Sequence, residues 1–304
     1  MIVGMDVSPL EQTRAGTARY VRGLLRHLEV EPLSFPGAGR AASLARDALW
    51  YPSLGLRGGF DVLHCPSFRG PPAARVPLVV TVHDLAVLRR PEWFNAWTRS
   101  YSRVAVPRVV RAAARVIAVS EATRRDVCGL LGVPEQRVRV IPNGVEDVFS
   151  ADGPAADGDY VLAVGTLEPR KNLARVAEAC RGLDLRVVGA RGWGGVEAPA
   201  GTTFLGEVSD DQLARLYRGA RCLVYPSLHE GFGIPVAEAL ACGCPVVTSA
   251  GSPMTELGDV VAVDPYDPVA IRAGIERAER SGPHPVPRWL QVAEATRAVY
   301  EELV

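Results

Sequence analysis

Residues 149–166 read FSADGPAADGDYVLAVGT, and the change of texture at Tyr160 decides the fold. Phe149–Asp159 is small and polar and holds Gly153, Pro154 and Gly158, the composition of a connection. Tyr160–Val164 is an apolar run of strand length, rich in β-branched and aromatic residues. A run of the same kind opens the chain at Ile2–Val7, so one series starts at residue 2, stops near 148 and begins again at 160. The first series predicts strands at Ile2–Val7, Val62–Cys65, Leu78–Val82, Val116–Val119 and Val138–Ile141. The second predicts them at Tyr160–Val164, Leu185–Val188, Thr203–Leu205, Cys222–Tyr225, Val246–Thr248 and Val260–Val263. Helical patterns lie between, at Thr17–Leu28, Glu121–Leu131, Asp210–Ala220, Pro235–Cys242 and Pro268–Glu279. Runs such as LVV and CLVY do not alternate, which fits strands buried on both faces of parallel sheets covered by helices. The expectation is an α/β chain of two doubly wound, Rossmann-like domains: 1–148, a connection at 149–159, and 160–285. A last helix follows SGPHPVP and belongs to the stretch 286–304. Residues 28–61 offer only one weak strand (Leu33–Phe35) and one helical stretch (Ala41–Trp50), so the first domain reads as short.

The composition narrows the function classes. The chain has 304 residues, 48% hydrophobic and 22% charged, which excludes a disordered chain. No apolar run reaches the roughly 18 residues of a spanning helix. MIVGMDVSPL lacks the basic n-region of a signal peptide, so the expected location is cytoplasmic. Six scattered cysteines without a CxxC pair point to reduced, buried thiols rather than zinc or disulfides. Lys171 is the only lysine among 34 basic residues. A lysine kept in such a composition fits a place where a compact ammonium is needed and a planar guanidinium is not, or chance survival. Residues 1–147 carry 20 basic against 13 acidic side chains (+7), and residues 148–304 carry 14 against 21 (−7). The basic half suits an anionic partner or membrane surface, or else attraction to the acidic half. Nucleic acid is not among the expected partners.

In open parallel sheets, ligands sit beyond the carboxyl ends of the strands, and with two such domains the cleft between them is the expected site. Four strand ends carry candidates. In LEQTRAGTARY (10–20), Gly16 and Thr17 open a helix whose free N–H groups suit a phosphate, though a plain turn explains them equally and the stretch is not GxGxxG. In TVHD (81–84), His83 either meets a substrate or caps backbone groups. In GTLEPRKN (165–172), Gly165 leads to Arg170 and Lys171, adjacent cations at a strand-to-helix transition that suit a diphosphate. In SLHEGFGIPVAEALACGCP (227–245), Glu230 and the glycines 231 and 233 lie at the mouth of the sheet. Glu238 lies in the helix that follows, and its side chain is expected to lean back toward that mouth. Carboxylates so placed accept from paired sugar hydroxyls. Asp210-Asp211 read as helix caps, no DxD pair marks a strand end, and no Ser-His-Asp order is visible, so neither a bound metal nor a cofactor is expected.

Together these segments resemble the retaining GT-B glycosyltransferases of family 4. The most specific match is the E-x7-E stretch HEGFGIPVAE followed by ALACGCPVV. GTLEPRKN, VSEATRRD (119–126), IPNGV (141–145) and LGEVSDDQLARLYRGA (205–220) support it in order. VTVHDL and PEWF (91–94) look like the subset that contains many bacterial mannosyltransferases. The resemblance implies a GDP-, UDP- or ADP-sugar donor and a glycan, lipid-linked or small-molecule acceptor, with retention and without a metal. It implies that Arg170 and Lys171 hold the diphosphate and that Glu238 takes the ribose hydroxyls. Glu230, with the backbone of Gly231, Phe232, Gly233 and Ile234, would hold the transferred hexose, and His83 would touch that sugar. Gly16, Thr17 and Gly165 would let backbone approach the phosphates, Glu207 and Val208 would lie near the base, and the C-terminal helix would cross back onto the first domain. A nucleotide-sugar epimerase and a non-catalytic binding or assembly subunit are the alternatives. The arginines and aromatics of Arg89–Arg111 suit peripheral contact with an anionic membrane at its inner face, or simply a domain core with solvated arginines.

Overall fold

Every strand pairing among the described residues is parallel, as runs without alternation require. The computed structural model describes residues 1–12, 16–37, 39–192 and 195–304. The chain forms two units, Met1–Gly144 with Pro287–Val304, and Val145–Val286.

The first unit holds β1 (Val3–Asp6), β2 (Glu31–Leu33), β3 (Val62–Cys65), β4 (Leu78–Val82), β5 (Arg115–Ala118) and β6 (Val138–Val140), in the order β2-β1-β3-β4-β5-β6. Both of its faces are apolar. In β4, Leu78, Val80 and Val82 enter one core while Val79 enters the other. The second core also takes Val3, Met5, Val62 and Ile117, and it is closed by the C-terminal helix Trp289–Glu301. At roughly 1.5–3 kcal/mol per fully buried aliphatic side chain, these two layers hold the unit together.

Trp289 anchors that helix. A Cβ added at Gly23 would stand 2.2 Å from the indole, and one at Gly144 would stand 2.5 Å from it. Two glycines therefore make the slot, and the IPNGV turn is where the chain must be bare.

A buried polar chain runs beside the indole. Thr296 Oγ1 donates to the Val292 carbonyl at 2.7 Å. Tyr20 Oη lies 3.1 Å from Thr81 Oγ1, Thr81 Oγ1 lies 2.9 Å from His64 Nε2, and His64 Nδ1 lies 2.7 Å from Tyr300 Oη. Burial, with His83 nearby, pushes His64 down to about 3, so it stays neutral.

The second unit holds β7 (Tyr160–Val164), β8 (Asp184–Val188), β9 (Thr203–Gly206), β10 (Cys222–Tyr225), β11 (Val246–Ser249) and β12 (Val261–Val263). Their order is β12-β11-β10-β7-β8-β9. The chain builds outward from β7 on one side and from β10 on the other.

Three features differ from the sequence expectation. The division falls at Gly144, ahead of the 149–159 connection, because Phe149 is fully buried in the second unit and packs edge-on against Tyr217. Arg218 holds the rest of that stretch through the carbonyls of Ser150 (3.1 Å) and Pro154 (2.8 Å). A helix spans Ala96–Ala112 despite Pro107, where the arginine run hid the periodicity. The expected helical stretch Ala41–Trp50 is helical but runs on to Leu56, and its Arg46–Trp50 part is π-helical.

Two outcomes follow from this packing. Gly144→Ala should cost about 1–3 kcal/mol of stability in urea unfolding, through overpacking against Trp289. A Trp289→Leu background should absorb most of that loss. His64 binds its proton more weakly when folded than when unfolded, so its contribution is complete above pH 6.5 and is lost as pH falls toward about 3. His64→Asn should accordingly flatten the rise of stability with pH between 4 and 6 by about one proton, roughly 1.4 kcal/mol per pH unit.

Candidate functional site

The order of the second sheet reverses between β7 and β10, the switch point where open α/β sheets leave a crevice beyond their carboxyl ends. The loops leaving these two strands are GTLEPRKN and PSLHEGFG.

Their local folding brings the charges together. Pro169–Lys171 forms one 3-10 turn, and Asn172 follows at φ 60°. It is the one non-glycine with positive φ among the described residues. Asparagine tolerates that conformation, and here its side chain is fastened besides. Asn172 Nδ2 donates to the carbonyls of Pro226 (3.1 Å) and Pro265 (2.6 Å). The Arg170 carbonyl accepts from Leu228 N (2.8 Å) and lies 3.0 Å from Ser227 Oγ. Gly165, at φ 147°, leaves room for the lysine stem: a Cβ there would stand 3.1 Å from Lys171 Cε.

Glu230 is the centre of the cluster. Its Oε1 accepts from Lys171 Nζ (2.6 Å), Ser227 Oγ (2.8 Å) and Tyr225 Oη (3.0 Å), and its Oε2 lies 3.6 Å from Arg170 Nη1. Lys171 also donates to Tyr225, whose single proton goes on to Glu230. Arg170 Nε is held by buried Glu168 at 2.6 Å. Burial alone would raise the Glu230 carboxyl, but Lys171 and then Arg170 outweigh it and hold it at about 2. Burial, and then the Glu230 charge, pushes the Tyr225 phenol well up. The site is thus two fixed cations balanced by two carboxylates, with an ammonium that already donates to Glu230 and Tyr225.

The remaining expected residues fall in several places. Gly231 and Phe232 are buried, Gly233 (φ 96°) caps the helix Ile234–Ala241, and Ile234 is its first residue. Glu238 is only 2% exposed, and its Oε2 accepts from Tyr217 Oη at 3.1 Å. Its carboxylate therefore meets the helix Asp210–Gly219, where the sequence expected a lean toward the sheet mouth. Glu207 and Val208 leave β9, two strands from β7. In the first unit, His83 follows β4 and its Nε2 meets the Pro66 carbonyl at 3.0 Å. A carbonyl only accepts, so Nε2 carries the proton and Nδ1 the lone pair. The Tyr20 ring stands edge-on to His83, 4.9 Å between centroids, and burial lowers the His83 pKa. Gly16 and Thr17 open the helix Gly16–Leu25; the preceding residues 13–15 lie outside the described ones.

Sequence reasoning missed Tyr225, Ser227, Asn172 and Tyr217. The first three stand inside or beside the quoted motifs, and Asn172 carried a signal, an asparagine ahead of a helical run after a turn. Tyr217 reads as an ordinary core aromatic.

Known proteins bear on this geometry. A sequence model of the family described as Glycosyltransferase Family 4 matches residues 4–148, and one described as Glycosyl transferases group 1 matches 146–287. The chain belongs to the family 4 glycosyltransferases of GT-B fold. The O-antigen chain mannosyltransferase B of Escherichia coli is 31% identical over 246 residues, 70% of this chain and 64% of that one. The D-inositol 3-phosphate glycosyltransferase of Mycobacterium tuberculosis is 31% identical over 242 residues, 70% of this chain and 48% of that one. The match thus spans less than two thirds of either relative. HepE of Anabaena, solved in complex with UDP and glucose, shares the fold at a TM-score of 0.67 and 19% identity, over 99% of this chain and 95% of that one.

Removing the ammonium should expose its effect on Glu230. In Lys171→Met the carboxyl should titrate well above 2. Its stabilising contribution, present above the ordinary carboxylate range, should then be lost at correspondingly higher pH. Side-chain carboxyl NMR titration beside urea unfolding at pH 4 to 6 checks both. An unmoved Glu230 would show that the ion pair does not set its charge.

Proposed function

We propose that this chain transfers a hexosyl group of mannose or glucose type from a nucleoside diphosphate sugar to an acceptor hydroxyl, with retention and without a metal. The observation that carries the reading is the meeting of Arg170, Lys171 and Glu230 at the β7/β10 switch point. The similarity to a mannosyltransferase and to a UDP- and glucose-binding protein supports it.

In this reading the bond between the sugar C1 and the diphosphate oxygen breaks through an oxocarbenium-like state. Arg170 and Lys171 stabilise the negative charge that grows on the departing diphosphate, as fixed cations already desolvated do. The acceptor hydroxyl attacks from the side the diphosphate leaves, forming the new C1–O bond, and its proton passes to the departing phosphate oxygen. Glu230 accepts from hydroxyls of the transferred sugar beside the N–H groups of Phe232 and Gly233, and His83 offers Nδ1 to another. Glu238 accepts from ribose hydroxyls. Gly16, Thr17 and Gly165 let backbone approach the phosphates, and Glu207 and Val208 flank the base. The base is guanine, uracil or adenine, and the acceptor a glycan, a lipid-linked saccharide or a small molecule.

The reading extends to peripheral contact with an anionic membrane, with the protein acting in the cytoplasm. Its support is a face of the first unit. Leu44, Leu49, Leu56, Trp97 and Val104 are each between 46 and 70% exposed, while Arg46 and Asp47 of the same helical run turn inward. The two segments meet where Arg69 pairs with Asp47 (3.3 Å) and covers the Tyr101 ring. The helix Ala96–Ala112 carries four arginines and no acidic residue. Leucines and a tryptophan beside unopposed arginines suit anionic lipid. Arg89 and Arg111 are instead spent inside the unit, on Asp126 and on the Leu131 carbonyl.

A thermal-shift panel of GDP, UDP, ADP and their sugars should give a selective rise with one base, unchanged by EDTA and lost in Glu238→Ala. Lys171→Ala should lower kcat about 10²–10³-fold with the fold retained. No shift with any nucleotide, or near-normal turnover in Lys171→Ala, would overturn the reading. Co-sedimentation with phosphatidylglycerol vesicles should fall in Trp97→Ala. Absence of sedimentation in the wild type would remove the membrane contact.

A further inference from the structure

Tyr217 enters none of the roles above, yet it is fully buried and its hydroxyl donates to Glu238 Oε2 at 3.1 Å. The physical need for such a donor is specific. The last torsion of a glutamate side chain is broad and roughly two-fold, so packing around the stem leaves the plane of the carboxylate loosely set. A donor on one oxygen fixes that plane and with it the direction of the lone pairs on the other. Recognition of a vicinal diol depends on this direction, because two hydroxyls at a fixed spacing must reach the same carboxylate.

Tyr217 is itself held. Its ring stands at 66° to that of Phe149, 6.0 Å between centroids, and Phe149 is fully buried as well. On either side of it, Arg218 donates to the carbonyls of Ser150 and Pro154, and the Arg215 carbonyl accepts from Ala156 N at 2.9 Å. The first residues of the second unit are thus strapped to the helix that carries Tyr217, and that phenol reaches across to the helix that carries Glu238. A phenylalanine at 217 would keep the ring packing against Phe149 and remove the hydroxyl that donates to Glu238.

We infer that Tyr217 is a positioning residue that orients the Glu238 carboxylate for the ribose diol of the donor nucleotide, with Phe149 as its seat. The inference rests on the proposed role of Glu238 and adds the group that makes it selective for ribose over deoxyribose.

The test compares Kd values by calorimetry for GDP, UDP and ADP with those for their 2′-deoxy forms. The wild type should favour the ribo form of its preferred base by about tenfold or more, as a hydrogen bond to a charged group allows. In Tyr217→Phe that ratio should fall to about threefold or less, with the Kd of the 2′-deoxy form nearly unchanged. A purely structural role would weaken both forms alike and leave the ratio intact, which overturns the inference, as does an unchanged pair of Kd values. Phe149→Leu provides a second route should Tyr217→Phe fold poorly: it should lower the ratio in the same direction, and an intact ratio counts against the seat. Glu238→Gln separates the levels. A collapsed ratio in Glu238→Gln with an intact one in Tyr217→Phe sinks the tyrosine alone. An intact ratio in Glu238→Gln, or no binding of any of the three nucleotides, sinks the role of Glu238 and the inference with it.

Discussion

An ammonium and a carboxylate 2.6 Å apart, Lys171 and Glu230, hold the two loops of the switch point in one arrangement. Each belongs to a different loop, and each is almost wholly withdrawn from water. Neither charge is tolerable there without the other. The pair therefore demands that β7 and β10 be neighbours, that Gly165 clear the lysine stem and that Asn172 turn the chain back. Most of the polar contacts around it serve to keep those two loops in register.

The pair also explains why lysine survives at one place in an arginine-rich chain. Its ammonium donates to Glu230 Oε1 and the Tyr225 hydroxyl while its stem passes Gly165, a space for a point donor on a slender stem. A guanidinium is planar and broader and directs its hydrogens in a fork, and the neighbouring Arg170 uses that fork to bridge Glu168 and Glu230. Two adjacent cations thus differ in kind because their surroundings differ in shape.

Much of this was legible beforehand. Strands such as Val62–Cys65, Leu78–Val82, Tyr160–Val164 and Cys222–Tyr225 match their expected runs residue for residue, because burial on both faces gives mostly apolar runs without alternation. GTLEPRKN and HEGFG were each legible as a loop leaving a strand end, whereas the pairing of Lys171 with Glu230 was not read from the sequence. What stayed hidden depends on partners far away in sequence. Phe149 looks like part of a connection until Tyr217 is known to cover it. His64 sits mid-strand in an apolar run, and only Tyr300, 236 residues on, shows why an imidazole is satisfied there. The helix Ala96–Ala112 is long and arginine-rich, and its few buried positions gave too faint a stripe to read. The inward turn of Arg46 and Asp47 contradicts simple amphipathic patterning, with leucines left outside.

The slot that Gly23 and Gly144 make for Trp289 has a bearing on how the protein comes into being. The chain leaves the first unit at Gly144, builds the whole of the second, and returns only at Pro287. During vectorial synthesis the second unit has all its residues before the first one does. Until the last turns emerge, one face of the first sheet lacks Trp289, Val292, Val299 and Tyr300, and the imidazole of His64 lacks a partner for Nδ1. The nascent first unit is thus an apolar surface waiting for the helix Trp289–Glu301, and it is completed only after the residues of the second unit have been made.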